Sequence, residues 1–171
     1  YAAERWQGKI FGVTGTNGKT TVTRLLERLL RASGTEAHVA GNIGVPLSEL
    51  VNSTANHKDA IAVCEISSFQ AEITQGLSLD GLIWTNFAED HMDRYDTMEE
   101  YFDSKWALFS CLKKSATVCV SEDLLEFKDA NFWKSCGAKI VKVDKDLPKT
   151  LKETSVFQSY PHLFNYHLAS G

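Results

Sequence analysis

The sequence predicts an α/β fold in which a mainly parallel sheet is flanked by helices. Three observations carry this reading. Short β-rich apolar runs alternate with segments of helical periodicity, and parallel neighbours need such long crossover connections. A glycine-rich segment, Gly12 to Thr21, joins the first strand-like run to the first helical one. With 43% hydrophobic and 23% charged residues, 171 residues suit one domain with a real core and exclude disordered or collagen-like chains.

Taken in order, Lys9 to Thr14 is a buried strand. Thr20 to Ser33 is a helix whose Val22, Leu25, Leu26, Leu29 and Leu30 form one apolar face, stopped by Gly34. Ala37 to Ala40 is the second strand, followed by the turn GNIG, and Pro46 takes the first position of a short helix. Ala60 to Glu65 and Gly81 to Thr85 read as further buried strands. Thr97 to Leu112 is the clearest later helix, because Thr97 and Glu100 form a T-x-x-E capping box before an apolar pattern. Strands at Ala116 to Val120 and Ala138 to Val143 flank a helical Glu122 to Cys136. The end, LFNYHLASG, reads as a helix beginning, so the chain is expected to be a fragment.

A formal charge of −4 offers no overall positive field for nucleic acid, and no stretch is apolar for long enough to span a bilayer. Cys64, Cys111, Cys119 and Cys136 form no CxxC pair, and Cys64 and Cys119 lie in strand-like runs. They read as reduced structural thiols, which favours the cytoplasm.

Between strand and helix, GVTGTNGKTT can aim backbone N–H groups and a helix N-terminus at phosphate. Lys19 adds a point charge for the β/γ oxygens and Thr20 a hydroxyl for Mg²⁺. The strict G-x-x-x-x-G-K-[ST] pattern fails because position 13 is Val and the glycine lies at position 12. Glu65, at a strand's carboxyl end, faces the same crevice and is either a Mg²⁺ ligand or a local cap. NFAEDHMDRY concentrates Glu89, Asp90, His91 and Asp93, as a metal-binding group without zinc's usual companions or as a solvated acidic turn. Lys105 falls on the apolar face of the Thr97 helix, with Tyr101 and Phe109. Either its ammonium snorkels to water, or it is a desolvated amine able to react with CO₂ and become an anionic carbamate ligand.

In this order, GVTGTNGKTT, GNIGVPL, EISSFQ, NFAEDHMDRY and YFDSK resemble the central ATP-binding domain of the Mur ligases, over Lys9 to Leu112. GNIG, SSFQ and EDHMDRY are most like the branch that adds D-glutamate to UDP-N-acetylmuramoyl-L-alanine in peptidoglycan synthesis, whereas the phosphate loop alone also fits folylpolyglutamate synthases. This family's loop reads TGTNGK[ST], which accounts for the failed pattern. The resemblance implies a P-loop NTPase-like fold over residues 1–171, in a protein with a further N-terminal uridine-nucleotide domain and a C-terminal amino-acid domain. It implies that Gly15, Thr16, Asn17, Gly18, Lys19, Thr20 and Thr21 hold ATP, with Asn165 a candidate adenine contact. Thr20 and Glu65 would serve one Mg²⁺, and His91 a second together with Lys105 as its carbamate. Lys19, His91 and Lys105 would carry the chemistry, and Asn42, Ser67 and Gln70 would meet the muramoyl substrate. The implied enzyme is a monomeric cytoplasmic ligase working through an acyl phosphate. The isolated domain is expected to bind ATP, and the rival reading is a non-catalytic nucleotide-binding module.

Overall fold

The computed structural model describes residues 2–74 and 76–143. Among the described residues six strands form one wholly parallel sheet: β1 (Lys9–Thr14), β2 (Ala37–Gly41), β3 (Ile61–Glu65), β4 (Leu79–Trp84), β5 (Leu112–Ser121) and β6 (Lys139–Val143). Their order is β2-β3-β1-β4-β5-β6, so the sheet grows in both directions from β1. Both faces are buried, which is why the strands read as continuous apolar runs. Alternation along β3 shows it: Ile61 and Val63 join Val13, Val22 and Ile83 on one face, while Ala62 and Cys64 join Leu82 and Trp84 on the other.

The first face is covered by α2 (Lys19–Ala32), whose Val22, Leu25, Leu26 and Leu30 point at the sheet. Leu29, expected on that face, is 37% exposed at its margin. Helix α2 ends as expected, with Ser33 as C-cap and Gly34 at φ +86°. The second face receives α5 (Met98–Trp106) and an aromatic cluster in which Trp84 lies 5.0 Å from Phe102 and Phe102 lies 5.0 Å from Phe127, centroid to centroid. Cys64 is buried here, its thiol pushed up to about 12 by desolvation, and the four cysteines are unpaired.

Several boundaries differ from the sequence reading. Helix α5 stops at Trp106, and Ala107–Cys111 tightens into a 3₁₀ turn, a common way for a helix to end. Its capping box is only half made. Thr97 accepts the Glu100 N–H, but the Glu100 carboxylate accepts from the Asp96 N–H instead of the Thr97 N–H. Pro46 is the N-cap of α3 (Leu47–Val51), not its first residue, with ψ 140° outside the helix. The Glu122 to Cys136 helix is two: α6 (Glu122–Phe127) and α7 (Ala130–Ser135). Lys128 between them is extended, and Asp129 recaps the chain by accepting the Phe132 N–H. Lys128 pairs with Glu99 and lies 5.1 Å from the Phe102 ring centroid, which fixes the break against α5. Two short helices went unread, α1 (Ala2–Arg5) and α4 (Ser68–Ala71). Among the described residues no helix is long and apolar enough to cross a membrane.

Candidate nucleotide site

Parallel pairing brings the carboxyl ends of three strands to one residue. Glu65 at the end of β3 is in register with Val13 of β1 and Gly41 of β2. The loop from β1 to α2 rises beside it. Gly15 (φ +142°) and Gly18 (φ +79°) hold backbone conformations that side chains disfavour, and a Cβ on Gly15 would lie 2.0 Å from Thr85 Oγ1. Gly18 is the N-cap of α2 and no side chain caps the helix, so its first N–H groups form an anion-binding end.

The loop is braced from β4, a feature the sequence reading did not anticipate. Asn86 accepts the Asn17 N–H at 2.8 Å on its side-chain oxygen and the Thr16 N–H at 3.2 Å on its carbonyl, and donates to Asn17 O at 2.9 Å. Thr85 donates to the same Asn17 oxygen at 2.7 Å. Thr16 shares a hydrogen bond with the Tyr101 hydroxyl at 3.3 Å, tying the loop to α5. The signal available was position: Thr85 and Asn86 directly follow the strand beside β1.

Thr20 donates to Glu65 Oε2 at 2.8 Å, and Asn42 donates to Glu65 Oε1 at 2.9 Å. Glu65 is 2% exposed, so both carboxylate oxygens are satisfied by the residues that flank it. Thr21 lies half-buried on the first turn of α2. Two ammonium groups meet at one carbonyl. Lys19 Nζ donates to Gly15 O at 2.9 Å and to Thr16 O at 2.7 Å, and Lys105 Nζ donates to Gly15 O at 3.1 Å. Lys105 is 1% exposed, so the snorkelling alternative fails. Burial, reinforced by the charge of Lys19 and opposed by Asp90, lowers its pKa from 10.5 to about 7. Burial also lowers Lys19, against the pull of Glu65 and Asp90. Two desolvated amines, Lys19 and Lys105, beside an uncapped helix end make a hole rich in N–H donors that favours anions.

His91 and Lys105 both lie beside the Tyr101 ring: the imidazole is 6.0 Å from the Tyr101 centroid, and Lys105 Nζ is 4.6 Å from it. Among the described residues no three His, Cys, Asp or Glu side chains converge as a ready-made metal group. Ser67 and Gln70 occupy each other in a reciprocal capping box at the start of α4: Ser67 Oγ accepts the Gln70 N–H at 3.2 Å, and Gln70 Oε1 accepts the Ser67 N–H at 3.0 Å. The S-x-x-Q spacing was the sequence signal for this overlooked helix. Asn165 lies outside the described residues.

The chain matches the Mur ligase middle domain over residues 13–168. It is 46% identical to the UDP-N-acetylmuramoylalanine--D-glutamate ligase of Protochlamydia amoebophila, over 65% of this chain and 24% of that protein. It is 36% identical to the ligase of the same name from Prochlorococcus marinus, over 81% of this chain and 34% of that protein. The chain thus spans about a quarter to a third of the length of these relatives. In fold it is similar to the MurF ligase of Thermotoga maritima in complex with ADP (TM-score 0.65, 21% identity, 82% of this chain and 34% of that one). It is likewise similar to the folylpolyglutamate synthetase of Helicobacter pylori (TM-score 0.66, 16% identity, 97% and 52%). The match over residues 13–168 makes the conclusion plain: this chain belongs to the Mur ligase family, as its middle domain.

Proposed function

We propose that this chain is the ATP-binding unit of a three-domain ligase that joins D-glutamate to UDP-N-acetylmuramoyl-L-alanine. The reading rests on relatives of that name, and the observation that carries it is the Thr20–Glu65 contact at 2.8 Å beside Lys19 and an uncapped helix end. The donor set suits Mg²⁺: a hydroxyl and a carboxylate are hard oxygen ligands, and Asn42 orients the second carboxylate oxygen. Thr20 and Glu65 would hold one ion, and His91 with the Lys105 carbamate a second. Bound Mg²⁺ would neutralise charge on the phosphoryl oxygens.

The chain's own groups do the positioning. Loop amides and the N-terminus of α2 hold the phosphates, and Lys19 turns from the Gly15 and Thr16 carbonyls to the β/γ oxygens. The L-alanyl carboxylate attacks the γ-phosphorus in line, ADP leaves, and an acyl phosphate results. The D-glutamate amine then attacks that carbonyl, loses a proton, and expels phosphate. Asn42, just past β2, and Ser67 and Gln70, at the start of α4, serve the muramoyl side, which requires the Ser67–Gln70 cap to exchange partners. Lys105, largely neutral above pH about 7, adds to CO₂ and releases a proton to become a carbamate.

Phosphate release by the whole ligase tests this. It is expected only with ATP, UDP-N-acetylmuramoyl-L-alanine and D-glutamate together. Release with a folate and L-glutamate, and none with the muramoyl substrate, overturns it.

A further inference from the structure

One cluster lies outside the phosphate loop, and of its members only His91 enters the chemistry above. His91 has φ +56°, the one non-glycine residue with positive φ among the described residues, so something must hold it there. Its own turn does part of this: the His91 carbonyl accepts the Arg94 N–H at 2.9 Å and the Tyr95 N–H at 3.1 Å. The side chains of those two donors then converge on one carboxylate in another part of the chain. The Tyr95 hydroxyl donates to Glu72 Oε1 and the Arg94 guanidinium to Glu72 Oε2, each at 2.6 Å. Glu72 is the C-cap of α4, seven residues after Glu65. From the same helix, the Phe69 ring lies 5.1 Å from the His91 ring and 4.6 Å from Arg94 Cζ. The Tyr95 and Arg94 hydrogen bonds hold the Glu72 carboxyl below its usual range, so it remains an acceptor at neutral pH.

We infer that Glu72 is a positioning residue: its carboxylate latches Arg94 and Tyr95 to α4 and so fixes the His91 turn relative to the strand end that carries Glu65. The latch is bidentate and charge-assisted, which gives direction as well as strength. It joins the two halves of the site, since α4 follows β3 directly and the His91 turn follows β4. The consequence for metal binding rests on the reading of His91 as a Mg²⁺ ligand; the latch itself does not.

Amide hydrogen exchange on this chain tests the latch. In Glu72→Gln the Arg94 and Tyr95 amides are expected to exchange at least tenfold faster, while β1 and β3 amides keep their rates. Tyr95→Phe, which removes one of the two donors, is expected to give a smaller increase at the same amides. Unchanged exchange at Arg94 and Tyr95 in both variants overturns the latch. The Mg²⁺ dependence of phosphate release by the whole ligase then reads the consequence. Glu72→Gln is expected to raise the half-saturating Mg²⁺ concentration several-fold, with KM for ATP little changed. Faster exchange with an unaltered Mg²⁺ dependence leaves the latch standing and overturns His91 as a ligand.

Discussion

Lys19 beside the phosphate loop and Lys105 on α5 meet at one atom, the Gly15 carbonyl, and reach it by opposite routes. Lys19 arrives from four residues away, on a loop built of glycine conformations and backbone donors. Lys105 arrives from ninety residues away, carried by a helix whose Tyr101 and Phe102 are fully buried. The first bank is local and half-open. The second is long-range and dry, and its amine is the more strongly perturbed of the two. The contrast suits the proposed roles: a cation that is to grip a mobile anion would stay near water, whereas an amine that is to react uncharged would sit where water is excluded.

The sharpest way to break this contrast is at Lys105. Lys105→Arg in the whole ligase is expected to lower ligation by about a hundredfold or more, the scale of removing a preorganised charge stabiliser. A guanidinium cannot form a carbamate, and near-normal activity would end that reading. The isolated chain gives a separate measurement. A lysine lowered to about 7 when folded binds fewer protons than the unfolded chain between pH 7 and its ordinary 10.5. Its cost to stability is therefore full below pH about 7 and fades as pH rises through 10.5. Lys19 acts in the same direction. Urea unfolding between about pH 7 and 9, below the range in which the raised thiols of Cys64 and Cys119 act in the opposite direction, should show stability rising with pH in the wild type, and a shallower rise in Lys105→Met.

On the other bank, Lys19→Ala is expected to weaken Mg·ATP binding by about ten- to a hundredfold, the worth of one or two charge-assisted hydrogen bonds. Its fold should survive, because the variant removes a partly desolvated charge. Calorimetric titration against wild type decides, and equal affinities would make the loop an ordinary turn.

Gly15→Ala separates the loop's shape from its charge. The new Cβ would lie 2.0 Å from Thr85 Oγ1 at φ +142°, displacing the hydroxyl that holds Asn17 O. A loss of about 1–3 kcal/mol is expected, seen as a lower Tm. A variant of unchanged Tm would show that the β4 brace yields freely.

The legible parts were those whose signal is contiguous. Strands buried on both faces, the loop between β1 and α2, and Lys105 on an apolar face follow from runs and spacing within a few residues. The missed parts depend on partners far along the chain. Asn86 acts on Asn17, and Glu72 acts on Arg94 and Tyr95, through side chains that no periodicity announces. The break at Lys128 lies between them in kind: Asp129 is a readable N-cap, but the aromatic rings around the lysine are assembled by folding. Helix α4 is too short for periodicity, so only its S-x-x-Q cap could have revealed it.

The smallest expected effect asks what holds the dry bank in place. Thr97 accepts the Glu100 N–H at 3.2 Å and is exposed, so Thr97→Ala removes one cap and little else. Losing such a cap typically costs about 1 kcal/mol, a Tm fall of roughly 2–4 °C for a chain of this size. If α5 is positioned by its packing, the Lys105 amine should not notice: Tyr101 and Phe102 anchor the helix between Thr97 and Lys105, each 0% exposed. Carbon-13 NMR of protein equilibrated with labelled bicarbonate would then give the same carbamate signal in variant and wild type. A weakened signal after so small a loss of stability would mean that the helix end, and not the buried face, sets the position of Lys105. The two banks would then be alike in depending on a helix N-terminus.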